Sequence, residues 1–396
     1  MRADQQPSAQ KRVVFGLIIV LVVVFAVEAL TRGVFAFTVG PRVLLYGTES
    51  FRDARAIPSA IMAKVGYTPP TPDAPIATYA KFAPHEVKYD RDENGERFSP
   101  TINSRGFRGD EFSDEKAPGV VRVVALGASS TFGYHDRDDE TYPHYLEEIL
   151  NTEAEAEAGK TFEVINLGIP HITTDQILAL FISEAMPLNP DMITVYAGLN
   201  DSREGWQHVV EQREGFGSVY EYVRERSLMF AFLDSFLYYA GTKRFFEEDL
   251  RNLSAGKGEK FVANLAAIRE ECLRRGIVFI AATQQANSTH LKREQLKGVT
   301  YSDEVAMLRE QLTGPGVKRR ELAFLVHDGV MRDLRSWAHE NEVPLVDVIS
   351  LLDEDRSVLL SHVHLNPQGN RKMAQAIAGE IRNQLRAAAH QSMYTD

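Results

Sequence analysis

From Val120 onward the chain alternates short β-branched runs with stretches of amphipathic helical spacing, and that alternation leaves few folds open. The runs are VRVVAL, FEVINL, MITVYA, IVFIAAT and PLVDVI. Nearly continuous apolar runs mark strands buried on both faces, and parallel neighbours need a crossover helix between them. Apolar spacing predicts those helices over Tyr142 to Asn151, Thr174 to Ala185, Val262 to Arg275, Arg320 to Glu340 and Asn370 to Ala388. The expected fold is therefore α/β, a flavodoxin-like doubly wound parallel sheet. Two connections are longer than such a fold needs, Ser202 to Lys260 after the third strand and Gln284 to Arg319 after the fourth. Both are expected to rise over the carboxyl edge of the sheet and wall a binding site. Within the first, the apolar piece SLMFAFLDSFLYYAGTKRFF, from Ser227, is expected to bury against the domain.

The N-terminus carries a different pattern. Val13 to Val27 has no charge, and with the residues to Thr31 it reaches about the ~20 residues of a membrane-spanning helix. Arg2, Lys11 and Arg12 precede it, so the positive-inside rule predicts a single-pass anchor with a cytoplasmic N-terminus and an extracytoplasmic domain, at a bacterial cell membrane. The expected division is 1–12 cytoplasmic, 13–31 transmembrane, 32–118 stalk and lead-in, 119–390 α/β domain and 391–396 tail. TPPTPDAP, from Thr68, reads as linker, and AEAEAG, from Ala154, as a solvated helix end or loop. A net charge of -11 without a long basic run argues against a nucleic-acid partner. The lone Cys272 excludes an intrachain disulfide and a cysteine metal cluster.

Chemistry-bearing residues fall at the ends of the predicted strands. The first strand runs into Gly127-Ala128-Ser129-Ser130-Thr131-Phe132-Gly133, a turn that would hold a serine hydroxyl at the sheet edge beside backbone N–H groups. Taken singly it reads equally as a helix cap. It lacks the Gly-Lys-Ser/Thr ending of a P-loop and the spacing of a dinucleotide fingerprint, so no cofactor is expected. The second strand ends in Asn166-Leu167-Gly168 and the third in Gly198-Leu199-Asn200-Asp201. The N–H groups of Ser129 and Gly168 with the Asn200 amide would make a three-donor oxyanion hole. Singly, Gly168 is also a turn glycine and Asn200 also a helix cap. His364 stands on the loop ahead of the last helix, at the same edge. His362 invites a metal, but no carboxylate or cysteine cluster completes a set, and none is expected.

In that order, GASSTFG, NLG, GLND and HLNP resemble the four blocks of the SGNH (GDSL-like) hydrolase family, over about Arg122 to Leu385. The lead-in INSRGFRGDEF, from Ile102, resembles that of membrane-tethered members. The resemblance implies a nucleophile at Ser129, oxyanion donors at Gly168 and Asn200, and a general base at His364. It implies an esterase or acylhydrolase acting on a lipid or acylated carbohydrate. Two rivals stand beside it: an O-acyltransferase acting on a polysaccharide with the same residues, and a non-catalytic carbohydrate-binding or scaffold domain. The chain departs from the family pattern at Ala128, in place of an aspartate in the first block, and at Ser361, in place of the aspartate three residues before the histidine. For His364 this leaves a Ser-His dyad, or an orienting group among Asp353, Asp355, Ser361 and main-chain carbonyls.

Overall fold

The computed structural model describes residues 9–39, 78–154, 161–204, 227, 229–230 and 244–392. The TPPTPDAP stretch, AEAEAG beyond Ala154, most of the apolar piece from Ser227 and the tail from 393 lie outside them. The chain forms two compact units, Met1–Ala54 with Gly205–Lys243, and Arg55–Glu204 with Arg244–Asp396.

The first unit contains helix α1 (Ala9–Val39). The expected membrane anchor, and with it the cytoplasmic N-terminus and extracytoplasmic domain, is corrected here: among the described residues no helix is long and apolar enough to cross a membrane. The uncharged run Val13 to Val27 falls short of the ~20 residues a bilayer core requires. Glu28 ends it. Its carboxylate pairs with Arg32 Nε at 2.8 Å and accepts from Ser227 Oγ at 2.8 Å and Met229 N–H at 2.9 Å, so this turn of the helix faces polar partners from the chain itself.

The second unit opens with a short antiparallel pair, β1 (Asp90–Arg91) and β2 (Arg97–Phe98). The main sheet is parallel, with strands β3 (Val120–Gly127), β4 (Thr161–Asn166), β5 (Met192–Tyr196), β6 (Val278–Ala282) and β7 (Leu345–Val346) in the order β4-β3-β5-β6-β7. All five β-branched runs thus contribute a strand. The crossovers include α2 (Ser129–Phe132), α3 (Tyr142–Ala154), α4 (Thr174–Leu180), α5 (Leu199–Arg203), α6 (Glu247–Ser254), α7 (Lys257–Arg274), α8 (Tyr301–Leu312) and α9 (Arg319–Glu340). α10 (Val348–Leu352) and α11 (Pro367–Ser392) close the chain. α3 and α11 pack together over one apolar cluster that includes Val123, Ala125, Tyr142, Leu146, Met192, Ile280, Met373 and Ile377. α7 packs on α4, α9 and β6.

Two runs depart from their simple pattern. The helix expected through Ala185 leaves α geometry at Phe181, where Phe181–Ala185 winds as a π turn. PLVDVI yields a strand of two residues because Asp347 is drawn away: its carboxylate pairs with Arg335, accepts from Thr283 Oγ1 at 2.7 Å and caps α10.

Polar clamps fix the loops at the carboxyl edge. Arg356 and Glu304, both fully buried, pair at 2.6 Å; Arg356 also donates to the carbonyls of Ala286, Val299 and Thr300, and Glu304 accepts from Ser288 N–H. From the same loop, Asn287 donates its N–H to His362 O at 2.9 Å and Nδ2 to Ser361 O at 2.8 Å. The ion pair therefore holds the loop that holds the histidine segment. Arg356→Ala strands the Glu304 carboxylate in the interior, and a loss of about 3–5 kcal/mol in urea unfolding is expected; a loss under 1 kcal/mol would mean that the carboxylate is solvated or protonated without cost.

Candidate functional site

The carboxyl edge gathers the four residues singled out by sequence onto neighbouring elements. Ser129 opens α2, two residues beyond Gly127, which is in register with Tyr196 of β5; Asn200 lies in α5, just past β5. Gly168 follows β4, whose Asn166 is in register with Ala125. His364 arrives from the far end of the chain, and its Nε2 stands 2.9 Å from Ser129 Oγ. Ser129 is half-buried and His364 is buried.

The other face of the imidazole meets a hydroxyl. Ser361 Oγ lies 2.8 Å from His364 Nδ1, and the same oxygen accepts from the backbone N–H of His364 at 3.2 Å and of Val363 at 3.4 Å. Of the other candidates for that place, Asp353 accepts from Tyr301 N–H and Asp355 caps the short turn at Ser357, so both are engaged elsewhere. Burial, reinforced by the neighbouring His362 and His135, lowers the His364 pKa to about 3.

The Ser129 turn is braced from several directions. Arg108 of the lead-in INSRGFRGDEF is buried; its guanidinium donates to the carbonyls of Phe132, Gly133 and Asp136 and pairs with Asp138. That lead-in segment thus closes the carboxyl end of α2. Ser130 Oγ donates to Val363 O at 3.3 Å and accepts from Gln284 Nε2 at 3.4 Å. Gln284 also accepts the Leu199 N–H at 2.7 Å, so it is a buried brace between turns. Asn166 Nδ2 donates to Thr131 O at 2.9 Å. Gly168 presses on the same turn: a Cβ there would stand 2.2 Å from Phe132 N, which only glycine avoids.

Two of the three expected oxyanion donors are engaged in this state. Gly168 N–H is donated to Asn166 Oδ1 at 2.9 Å, and Asn200 Nδ2 to Ile172 O at 2.8 Å. A primary amide keeps a second hydrogen, whereas a backbone N–H has only one. Asp201 of the same GLND block is structural: Oδ1 accepts the Thr174 N–H at 2.9 Å and holds the start of α4. Burial raises its pKa to about 6.

Sequence reasoning missed the pair beside the base. His135 takes a left-handed φ of 71°, and its ring centroid lies 5.4 Å from that of His364. Asp90 of β1 holds it, accepting the His135 N–H at 2.8 Å and pairing with Nδ1 at 3.3 Å. Burial works against the Asp90 charge, but the hydrogen bonds from His135 and Arg91 outweigh it and bring the pKa down to about 2; the same contact raises the pKa of His135. Tyr134 sets its ring edgewise to His364 at 5.5 Å. The only signal was proximity, since Tyr134 and His135 follow the serine block directly, and nothing in β1 marked Asp90. A cleft of about 400 Å³ is lined by Asp110, Glu111, Asp138, Asp139, Glu147 and Glu163, with Arg108 and Asn166 also on its wall.

Residues 125–304 match the model of the GDSL-like lipase/acylhydrolase family, a span that includes Ser129, Gly168 and Asn200 and ends before His364. The chain carries a GDSL-like lipase/acylhydrolase domain. That domain is of the SGNH esterase/acylhydrolase type, and the central sheet of the second unit is parallel. A search of curated proteins finds no match. Among solved structures the GDSL-like domain is similar to a catalytic mutant of an acetylxylan esterase from Geobacillus stearothermophilus, at 16% identity and a TM-score of 0.38, over 66% of this chain and 94% of that one. It is similar to the aryl esterase of M. smegmatis, at 15% identity and a TM-score of 0.38, over 66% and 99%. A GDSL-like lipase from Bacteroides thetaiotaomicron aligns at 15% identity and a TM-score of 0.36, over 66% and 88%.

Proposed function

We propose that the protein hydrolyses an O-acyl ester with Ser129 as nucleophile and His364 as general base. The observation that carries this reading is the 2.9 Å approach of His364 Nε2 to Ser129 Oγ. With its pKa near 3, the imidazole is neutral at pH 7, and it accepts the serine proton in the tautomer that leaves Nε2 unprotonated. Ser129 Oγ attacks the carbonyl carbon, its proton passes to Nε2, and the Asn200 amide with the N–H of Ser129 receives the oxyanion. The imidazolium then protonates the leaving alcohol, and water, activated by the same nitrogen, releases the acid. A fluorophosphonate probe should label the native protein at Ser129, read by peptide mass. A folded protein that stays unlabelled would favour the non-catalytic binding domain.

Ser361 gives His364 an ambivalent partner. A hydroxyl can accept from Nδ1–H, which leaves Nε2 as the base, or donate to Nδ1, which puts the proton on Nε2 and makes it useless toward Ser129. The two backbone N–H groups already aimed at Ser361 Oγ favour the second arrangement. A carboxylate only accepts. Ser361→Asp is therefore expected to raise kcat on an activated ester by about tenfold or more, since it selects the productive tautomer and stabilises the imidazolium.

The pH profile gives a second readout. Because the His364 pKa lies below its ordinary 6.5, the acid limb of kcat/KM in the native protein should fall well under pH 6, with activity rising as the proton leaves. In Ser361→Asp the new anion raises that pKa and moves the limb to higher pH. An unchanged kcat with an unmoved limb would show that His364 already has its orienting partner elsewhere.

A further inference from the structure

His362 Nε2 lies 3.2 Å from Arg203 Nη1. A guanidinium only donates, so Nε2 accepts and His362 is held neutral. The ring centroids of His362 and His364 are 6.1 Å apart, which sets Arg203 one imidazole away from the base. Arg203 is the last residue of α5, three beyond Asn200, and α5 packs on α9, whose first turn brings Arg319 and Arg320. Arg203 and His362 are half-buried, and Arg320 is exposed.

The acids nearby are committed elsewhere. Glu204 pairs with Lys260, Asp201 holds Thr174, Glu321 pairs with His290, and Asp328 pairs with Arg309 and Arg332. Among the described residues, neither Arg203 nor Arg320 has a carboxylate partner. Burial first, then the like charges of Arg319 and Arg320, lower the Arg203 pKa to about 10; burial, Arg203 and Arg320 bring His362 to about 3. Arg203 and Arg320, like charges at a partly dehydrated place with no carboxylate partner among the described residues, are unfavourable together, and an oxyanion entering from outside relieves them with charge-assisted hydrogen bonds. In a chain of net charge -11, this basic corner lies one imidazole from His364.

We propose that Arg203 and Arg320, with His362 between Arg203 and the base, form an anion subsite that selects esters bearing a carboxylate or comparable oxyanion. This rests on Ser129 and His364 being the reacting pair. The test uses two matched substrate pairs: 4-nitrophenyl hemisuccinate against 4-nitrophenyl butyrate, with the anion on the acyl side, and 4-acetoxybenzoate against phenyl acetate, with the anion on the alcohol side. In the native full-length protein, kcat/KM for the anionic member of one pair should exceed that of its neutral partner by about tenfold or more. Arg203→Gln should bring that ratio near unity and Arg203→Lys should retain part of it. Arg320→Gln, on an exposed turn, should lower it and carries the test if Arg203→Gln does not fold. A native ratio near or below unity in both pairs, with the neutral esters turned over, overturns the subsite. So does a tenfold ratio that both Gln variants retain. Failure of the hydrolase reading looks different: no ester is turned over and the fluorophosphonate leaves Ser129 unlabelled.

Discussion

In Ser129→Ala, turnover of a short 4-nitrophenyl ester should fall by up to about 10⁶-fold, to background, while the protein keeps its fold. The reason is positional. Ser130, the only adjacent hydroxyl that might substitute, is buried and spent between Val363 O and the Gln284 amide, and the hydroxyl near His364 Nε2 is that of Ser129. Removing a half-buried hydroxyl costs at most about 1 kcal/mol of stability, so circular dichroism and thermal unfolding should hardly change. Activity that persists in the purified variant at more than a few per cent would relocate the nucleophile, and labelling of the variant by fluorophosphonate would say where. His364 would then be a base without a substrate hydroxyl, a reading that the 2.9 Å approach does not favour.

Asn200→Ala should lower kcat by about 10²–10³ with little change in KM, the pattern of a donor that acts on the transition state. The structure sharpens that expectation. Gly168 N–H is held by Asn166 Oδ1, so it serves a developing oxyanion only after Asn166 turns away, and Asn166 is itself pinned to Thr131 O. Asn200 spends one amide hydrogen on Ile172 O and has a second to offer. Its share of the oxyanion charge is then larger than that of Gly168. The lost bond to Ile172 O predicts a stability decrease of about 1 kcal/mol, measurable by urea unfolding and separable from the kinetic effect. A change confined to KM would recast Asn200 as a substrate-binding group.

The sites of the two largest effects were readable in the sequence because their positions follow from local order. A strand ends where its β-branched run ends, and Ser129, Gly168 and Asn200 each come within a few residues of such an end. The same local rule failed where a distant partner intervened. PLVDVI has the composition of a six-residue strand, yet Arg335 and Thr283 take the Asp347 carboxylate and two residues remain extended. The N-terminal run had the composition of an anchor, but its uncharged part ends at Glu28, and no helix among the described residues is long and apolar enough to cross a membrane.

By itself the sequence determined an α/β chain with a parallel sheet and a serine, a glycine, an asparagine and a histidine delivered in order to one edge, since hydrophobic period and turn chemistry act over a few residues. Only the tertiary structure decided what surrounds them. Ser361 became the partner of His364 Nδ1, and Asn166 took the Gly168 N–H. Asp90 reached His135 across 45 residues, and Arg203 reached His362 across 159. Such partners are set by how loops from separate crossovers converge over a sheet edge, and by the cost of burying a polar or charged group unpaired, neither of which any local pattern of residues encodes.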